Sequence, residues 1–190
     1  MSLLFDQLKP SYSNLFKNMV VNHESVPELQ ESVSKIQKGI PQYKEVQAAT
    51  GVDWKFIAIV HSMECNCRFD EHLHNGDSLS KRTVNVPAGR PLKGNPPFTW
   101  KDSAIDSLTL QKLNGAIDWS IEGILFQLEV YNGMSYRHLK VPINTPYLWS
   151  GSNQYISGKY VKDHVYDPNA VSKQIGGALI LQQLIKNGSV

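Results

Sequence analysis

Between residues 69 and 98 the chain carries Gly76, Pro87, Gly89, Pro91, Gly94, Pro96 and Pro97, a density that excludes a helix. Proline lacks the N–H that an internal helical turn requires, and glycine gives up the most backbone freedom on ordering. On both sides apolar residues recur at helical spacing. The pattern is one of helical blocks interrupted by an irregular segment. Within that segment Thr83-Val84-Asn85-Val86 alternates like a short strand and Pro87-Ala88-Gly89 reads as a turn, which predicts a small hairpin there.

Ahead of the interruption, Leu29, Val33 and Ile36 form one stripe of a helix over residues 27–39, with Gly39 as its stop. Residues 41–51 repeat the device, with Pro41 near the start, Tyr43 and Val46 inward and Gly51 past the end. Asp53 then caps a third helix that runs to Glu64. Beyond the interruption, Thr99 caps a helix to about Leu113, and another covers residues 118–130 and stops at Tyr131-Asn132-Gly133. A polar, aromatic segment extends to Asp167. The last helix is expected from Pro168 to about Lys186, with Gly176-Gly177 near its middle suggesting close approach to another helix. The fold class is α+β, predominantly α-helical, with one small β-hairpin. No linker marks a second domain, so residues 1–190 are expected as one domain that includes residues 1–40 as an N-terminal helical segment.

The net charge of +2 comes without a basic stripe or a phosphate-binding glycine loop, so nucleic acid is not an expected partner. No apolar run approaches the roughly 18 residues of a membrane span. The opening residues lack a basic, apolar leader, which predicts synthesis in a cytoplasm. Cys65 and Cys67 are the only cysteines; one intervening residue makes a mutual disulfide strained, so free thiols are expected. Cys65 and Cys67 with His72 and His74 offer zinc-type ligands, but the spacing of the cysteines departs from that of zinc sites. No metal or cofactor is expected.

Glu64 is the most informative acidic residue. Counting back by three, four and seven positions reaches His61, Val60 and Ile57, which predicts a carboxyl on the edge of the buried face. Burial and a helix C-terminus both disfavour its charged form, as a general acid requires. The competing reading is an ordinary glutamate on a solvated last turn. Glycosidic cleavage also calls for a second carboxylate. Asp70, Glu71 and Asp77 are the nearby candidates, with Asp70 and Glu71 expected in solvent. Asp77 follows the turn-forming Asn75-Gly76, and its competing reading is a residue that holds its own loop.

Longer motifs carry a resemblance. Ile57-Ala58-Ile59-Val60-His61-Ser62-Met63-Glu64, His72-Leu73-His74-Asn75-Gly76-Asp77 and Arg82-Thr83-Val84-Asn85-Val86-Pro87-Ala88-Gly89-Arg90-Pro91 are followed by Gly94-Asn95-Pro96-Pro97-Phe98-Thr99-Trp100, Tyr131-Asn132-Gly133 and Pro146-Tyr147-Leu148-Trp149-Ser150. This set resembles the lysozyme-like peptidoglycan hydrolases of phage endolysins and bacterial cell-wall proteins. It is more distantly similar to goose-type lysozymes and soluble lytic transglycosylases. The resemblance implies a lysozyme-like fold and an enzyme, a muramidase that cleaves the β-1,4 bond between N-acetylmuramic acid and N-acetylglucosamine. Its catalytic glutamate falls on Glu64, and an acidic residue thirteen positions later falls on Asp77. The Tyr-Asn motif that supports acid and substrate falls on Tyr131 and Asn132. His74, Asn75, Thr83 and Tyr147 are expected to bind substrate.

A lytic transglycosylase, or a glycan-binding module without turnover, remains open on the same resemblance. The implied partner is the peptidoglycan glycan strand, met by a monomer that acts on the cell wall once released or exported. Two departures stand out: Cys65 follows the glutamate where these groups usually have serine, and residues 83–87 replace the Gly-Leu-Met-Gln-like strand of goose-type enzymes.

Overall fold

The computed structural model describes residues 3–113, 115 and 117–188; Met1 and Ser2, read above for a leader, lie outside them. Among these residues are helices α1 (Leu3–Lys17), α2 (Val26–Thr50), α3 (Trp54–Cys65), α4 (Trp100–Leu110), α5 (Ile121–Asn132), α6 (Pro146–Trp149) and α7 (Gly177–Lys186). Strands β1 (Lys159–Lys162) and β2 (Val165–Asp167) form one antiparallel hairpin. The architecture is thus α+β and predominantly helical. No helix of the described residues is long and apolar enough to cross a membrane. The chain divides into two compact units, Ser34–Trp119 and Met1–Val33 with Ser120–Val190; the division falls inside α2.

The Ser34–Trp119 unit is built on α3. Asp53 caps it by accepting from the Lys55 N–H at 2.8 Å. Phe56, Ile57, Ala58, Ile59, Val60 and His61 are all fully buried, so this helix is enclosed on every side. Each of its large aliphatic side chains contributes roughly 1.5–3 kcal/mol by leaving water. At its end Asn66 and Cys67 adopt left-handed φ of 51° and 58°, turning the chain so that their N–H groups reach the carbonyls of Ser62 and His61. Thr99 caps α4 by accepting from the Asp102 N–H at 3.1 Å.

The two helices expected over residues 27–39 and 41–51 are one helix, α2 (Val26–Thr50), with Gly51 just past its end. Gly39 does not end it: a Cβ there would stand 2.5 Å from Phe69 Cζ and 2.8 Å from Tyr43 Cε2. Its bareness serves packing, because Phe69 belongs to an aromatic cluster with Tyr43, His61 and Trp100. Pro41 lies within the helix, where it leaves one carbonyl of the preceding turn without its donor. The hairpin expected over residues 83–89 is also absent; that stretch is an irregular loop, and the hairpin of this fold lies at β1 and β2.

In the other unit α1 packs on α5. The rings of Phe5 and Phe126 lie 5.2 Å apart, and Tyr12 meets Phe126 edge-on. Tyr12 donates to the buried Glu129 carboxylate at 2.5 Å, and Arg137 pairs with the same oxygen at 2.8 Å. Ser120 caps α5 through the Gly123 N–H, and Gly133 at φ 84° ends it. The last helix starts only at Gly177. Gly176 lies against the backbone of Leu148, where a Cβ would collide, and donates to the Ser150 carbonyl at 2.9 Å. The close approach expected of the glycine pair is present, but it occurs at the N-terminus of α7 against α6. In the hairpin Tyr160 faces Tyr166 and Lys162 faces Val165, with a bulge between Tyr160 and Lys162.

Candidate active site

Glu64 occupies the last turn of α3 and is exposed. The buried stripe passes through Ile57, His61 and Cys65, successive positions four apart, so the inward place in the final turn falls one residue later than the spacing predicts for Glu64. Cys65 takes the burial instead. Its thiol is pushed up to about 12, first by desolvation and then by the charges of Glu71 and Glu64. It is an inert packing group with its Sγ 3.6 Å from the His72 carbonyl. That contact seats the following loop against the end of α3.

The loop is braced by its own polar groups. Asp77 Oδ2 accepts from the Val84 N–H at 2.7 Å, the Asn85 N–H at 2.9 Å and Asn75 Nδ2 at 3.1 Å. Its Oδ1 accepts from Asn85 Nδ2 at 2.7 Å. The two backbone N–H groups, led by that of Asn85, hold the carboxyl below the usual carboxylate range. Asn75 also donates to the Asn85 carbonyl and accepts from the Asp77 N–H. Thr83, only 4% exposed, donates its hydroxyl to the Pro87 carbonyl at 2.5 Å and accepts from the Arg90 N–H at 2.9 Å. Both residues clasp the loop, and Thr83 is not presented to a ligand.

His74 departs furthest from expectation. Its side chain has no solvent exposure, with Nε2 2.9 Å from Asp106 Oδ2 and Nδ1 3.4 Å from Ser103 Oγ. Ser103 Oγ also lies 2.8 Å from His72 Nδ1, and His72 Nε2 donates to the Lys81 carbonyl. Desolvation lowers the His74 pKa against the pull of Asp106. The imidazole is a satisfied internal link, so it does not line a sugar site. The zinc-type set is likewise not assembled: both rings are spent elsewhere, and among the described residues no group of three or more His, Cys, Asp or Glu could hold a metal ion.

Two features escape the sequence reading. Ser103, His74 and Asp106 form a serine–histidine–aspartate chain, yet Ser103 is fully buried, which leaves no approach for a substrate. Glu71, expected in solvent, is half-buried: Oε1 pairs with Arg68 at 2.8 Å, while Oε2 is enclosed without a hydrogen-bond partner among the described residues. The one sequence signal for its position is Gly76, whose missing Cβ would lie 3.4 Å from that oxygen. Asp70 is exposed, as expected.

Tyr131, Asn132 and Tyr147 belong to the other unit. Tyr147 is 8% exposed and part of its core, because the short helix α6 is buried throughout. Tyr131 is half-buried and Asn132 exposed. Asn132 lines an open depression of about 640 Å³ with Gly133, Ser135, Tyr136, Tyr160 and the hairpin tip at residues 161–164. Tyr136 and Tyr160 meet at 5.2 Å and 70°, and the Tyr136 hydroxyl accepts from the Tyr160 N–H at 3.2 Å. No protein-family model, curated protein or solved structure matches this chain.

Proposed function

We propose that the protein cleaves the β-1,4 bond between N-acetylmuramic acid and N-acetylglucosamine in peptidoglycan, with Glu64 as the acid. The observation that carries this reading is the pairing of reach with rigidity at Glu64. The carboxyl is exposed, while six consecutive residues of the same helix, 56–61, are fully buried and fix its backbone. A proton donor must touch the leaving oxygen, so exposure in the free protein is compatible with the role. A sugar laid over it would remove water and favour its neutral form.

In the proposed reaction Glu64 protonates the glycosidic oxygen as its bond to the anomeric carbon breaks. An oxygen nucleophile then attacks that carbon, and the Glu64 carboxylate takes up the proton it releases. Asp77 accepts four hydrogen bonds, so its lone pairs are engaged and its basicity is reduced. It serves as a fixed negative charge and a brace for the loop. This engagement favours a second reading alongside hydrolysis: a lytic transglycosylase, in which the substrate's own hydroxyl attacks and an anhydro product leaves.

Digestion of purified cell walls by the wild type and Glu64→Gln tests both readings. The variant is expected to lose at least about a hundredfold in cleavage rate with its circular dichroism unchanged; near-wild-type lysis would rule the mechanism out. Mass spectrometry of the released muropeptides separates hydrolysis from transglycosylation by the mass of one water.

A further inference from the structure

We propose that the depression beside Asn132 binds a carboxylate-bearing amino-sugar chain, with Tyr160 against the ring and Lys162 on the anion. The choice of an acidic sugar over other small anions rests on the glycan-cleaving reading above, but the site's test needs no turnover. At about 640 Å³ the depression falls within the roughly 300–1,000 Å³ range of small-ligand sites.

Its polar groups are unspent. Among the described residues, the side chains of Asn132, Lys162, Asp163 and His164 make no hydrogen bond or ion pair. The loop around Asp77 differs in this respect, since its amides, hydroxyl and carboxylate are consumed internally. Polar groups free of internal partners can bond a ligand without breaking existing contacts.

The chemistry of the lining selects the ligand class. Tyr160, half-buried and braced edge-on by the buried Tyr136, offers an apolar surface for the C–H face of a sugar ring. Asn132 and Ser135 offer both donors and acceptors for hydroxyl and acetamido groups. Lys162 supplies the cation for a carboxylate. Asp163 on the same lip keeps the net field small, which suits one carboxylate on an otherwise neutral glycan and opposes a polyphosphate. His164 completes the lip from a left-handed backbone at φ 59°, a conformation uncommon for a residue other than glycine.

The experiment uses the full chain carrying Glu64→Gln and titrates it calorimetrically with two ligands: a tetrasaccharide containing N-acetylmuramic acid, and neutral chitotetraose. Lys162→Ala is expected to weaken the acidic ligand roughly tenfold or more, the scale of one charge-assisted hydrogen bond, and to leave chitotetraose unchanged. Tyr160→Ala is expected to weaken both. Lys162 is exposed, so its variant keeps the fold. Equal binding of the acidic ligand by the Lys162 variant and its parent would overturn the proposal, as would preference for chitotetraose. If Glu64→Gln still cleaved walls, the catalytic reading would fail, while the titrations would continue to report on this depression.

Discussion

Asp77 accepts both the backbone N–H of Asn85, at 2.9 Å, and its side-chain amide, at 2.7 Å. One carboxylate thereby ties residue 77 to a segment eight positions away, across a stretch with no regular secondary structure. Asp77→Asn would turn an amide donor or a weaker acceptor toward the N–H groups of Val84 and Asn85. The expected result is faster amide hydrogen exchange at residues 84 and 85, with protection of α3 unchanged. Because its folded-state pKa is depressed, the Asp77 contribution is present above the ordinary carboxylate range and disappears only as pH falls through the lower, folded value. Exchange followed during acid titration is therefore expected to show this loop outlasting ordinary carboxylates. Under the proposed function Asp77→Asn reduces wall cleavage less than Glu64→Gln does, since it disturbs position and leaves the acid in place.

His61 makes stability depend on pH. Its Nε2 donates to the Arg68 carbonyl at 3.1 Å, so Nδ1 accepts from the Tyr43 hydroxyl at 3.0 Å. Burial lowers its pKa to about 4 from the ordinary 6.5. Between those values the unfolded chain binds the proton and the folded chain does not, so stability falls as pH drops from about 6.5 to about 4 and flattens below. The loss attributable to this one ring is on the order of 3 kcal/mol. Urea midpoints for the wild type and His61→Gln across that window provide the check. The variant is less stable at pH 7, and its midpoint is expected to decline less steeply on acidification.

Local signals in the sequence marked elements well where the backbone decides. The caps at Asp53 and Thr99 stand at the starts of α3 and α4, and Gly133 ends α5, because an N-cap oxygen or a positive φ is a property of a few adjacent residues. Where distant packing decides, the same residues misled. Gly39 read as a stop because its bareness is visible in sequence and the Phe69 ring that requires it is not. Glu64 read as lying on the edge of the buried face because its spacing to Ile57 and His61 was right to within one residue, and Cys65 took the inward place. His74 and Thr83 carry chemistry that suits a ligand, and their bonding partners, Asp106 and Pro87, become apparent only once the loop is closed.

Gly39→Ala puts helix propensity against packing. On an open helix surface the change would stabilise by roughly 1 kcal/mol. Here the added Cβ would meet the Phe69 ring at 2.5 Å, and that ring is held by Trp100 at 4.8 Å and Tyr43 at 5.5 Å between centroids. Overpacking of this kind costs about 1–3 kcal/mol, so the net effect is expected to be destabilising by up to about 2 kcal/mol. The measurement is the urea midpoint at constant m-value. Restoring space with Gly39→Ala/Phe69→Leu is expected to recover part of the loss, which a propensity effect alone would not produce.

The Ser103–His74–Asp106 chain invites a nucleophilic reading that its burial argues against. Ser103 Oγ lies between two imidazoles, 2.8 Å from His72 and 3.4 Å from His74, and is fully buried. An activated serine must stand open to the carbonyl it attacks. Ser103 is expected to resist a fluorophosphonate probe in the folded protein, and Ser103→Ala to leave wall cleavage within about twofold of the wild type, since truncating the hydroxyl costs stability on the scale of one or two buried hydrogen bonds, about 1–3 kcal/mol. Asp106→Asn is expected to be more damaging. Asp106 joins His74 to Arg90, whose Nη1 lies 3.5 Å from its carboxylate, and to the Leu92 N–H, so the substitution loosens the loop from α4. Covalent labelling at Ser103, detected by peptide mass spectrometry, would overturn this structural assignment.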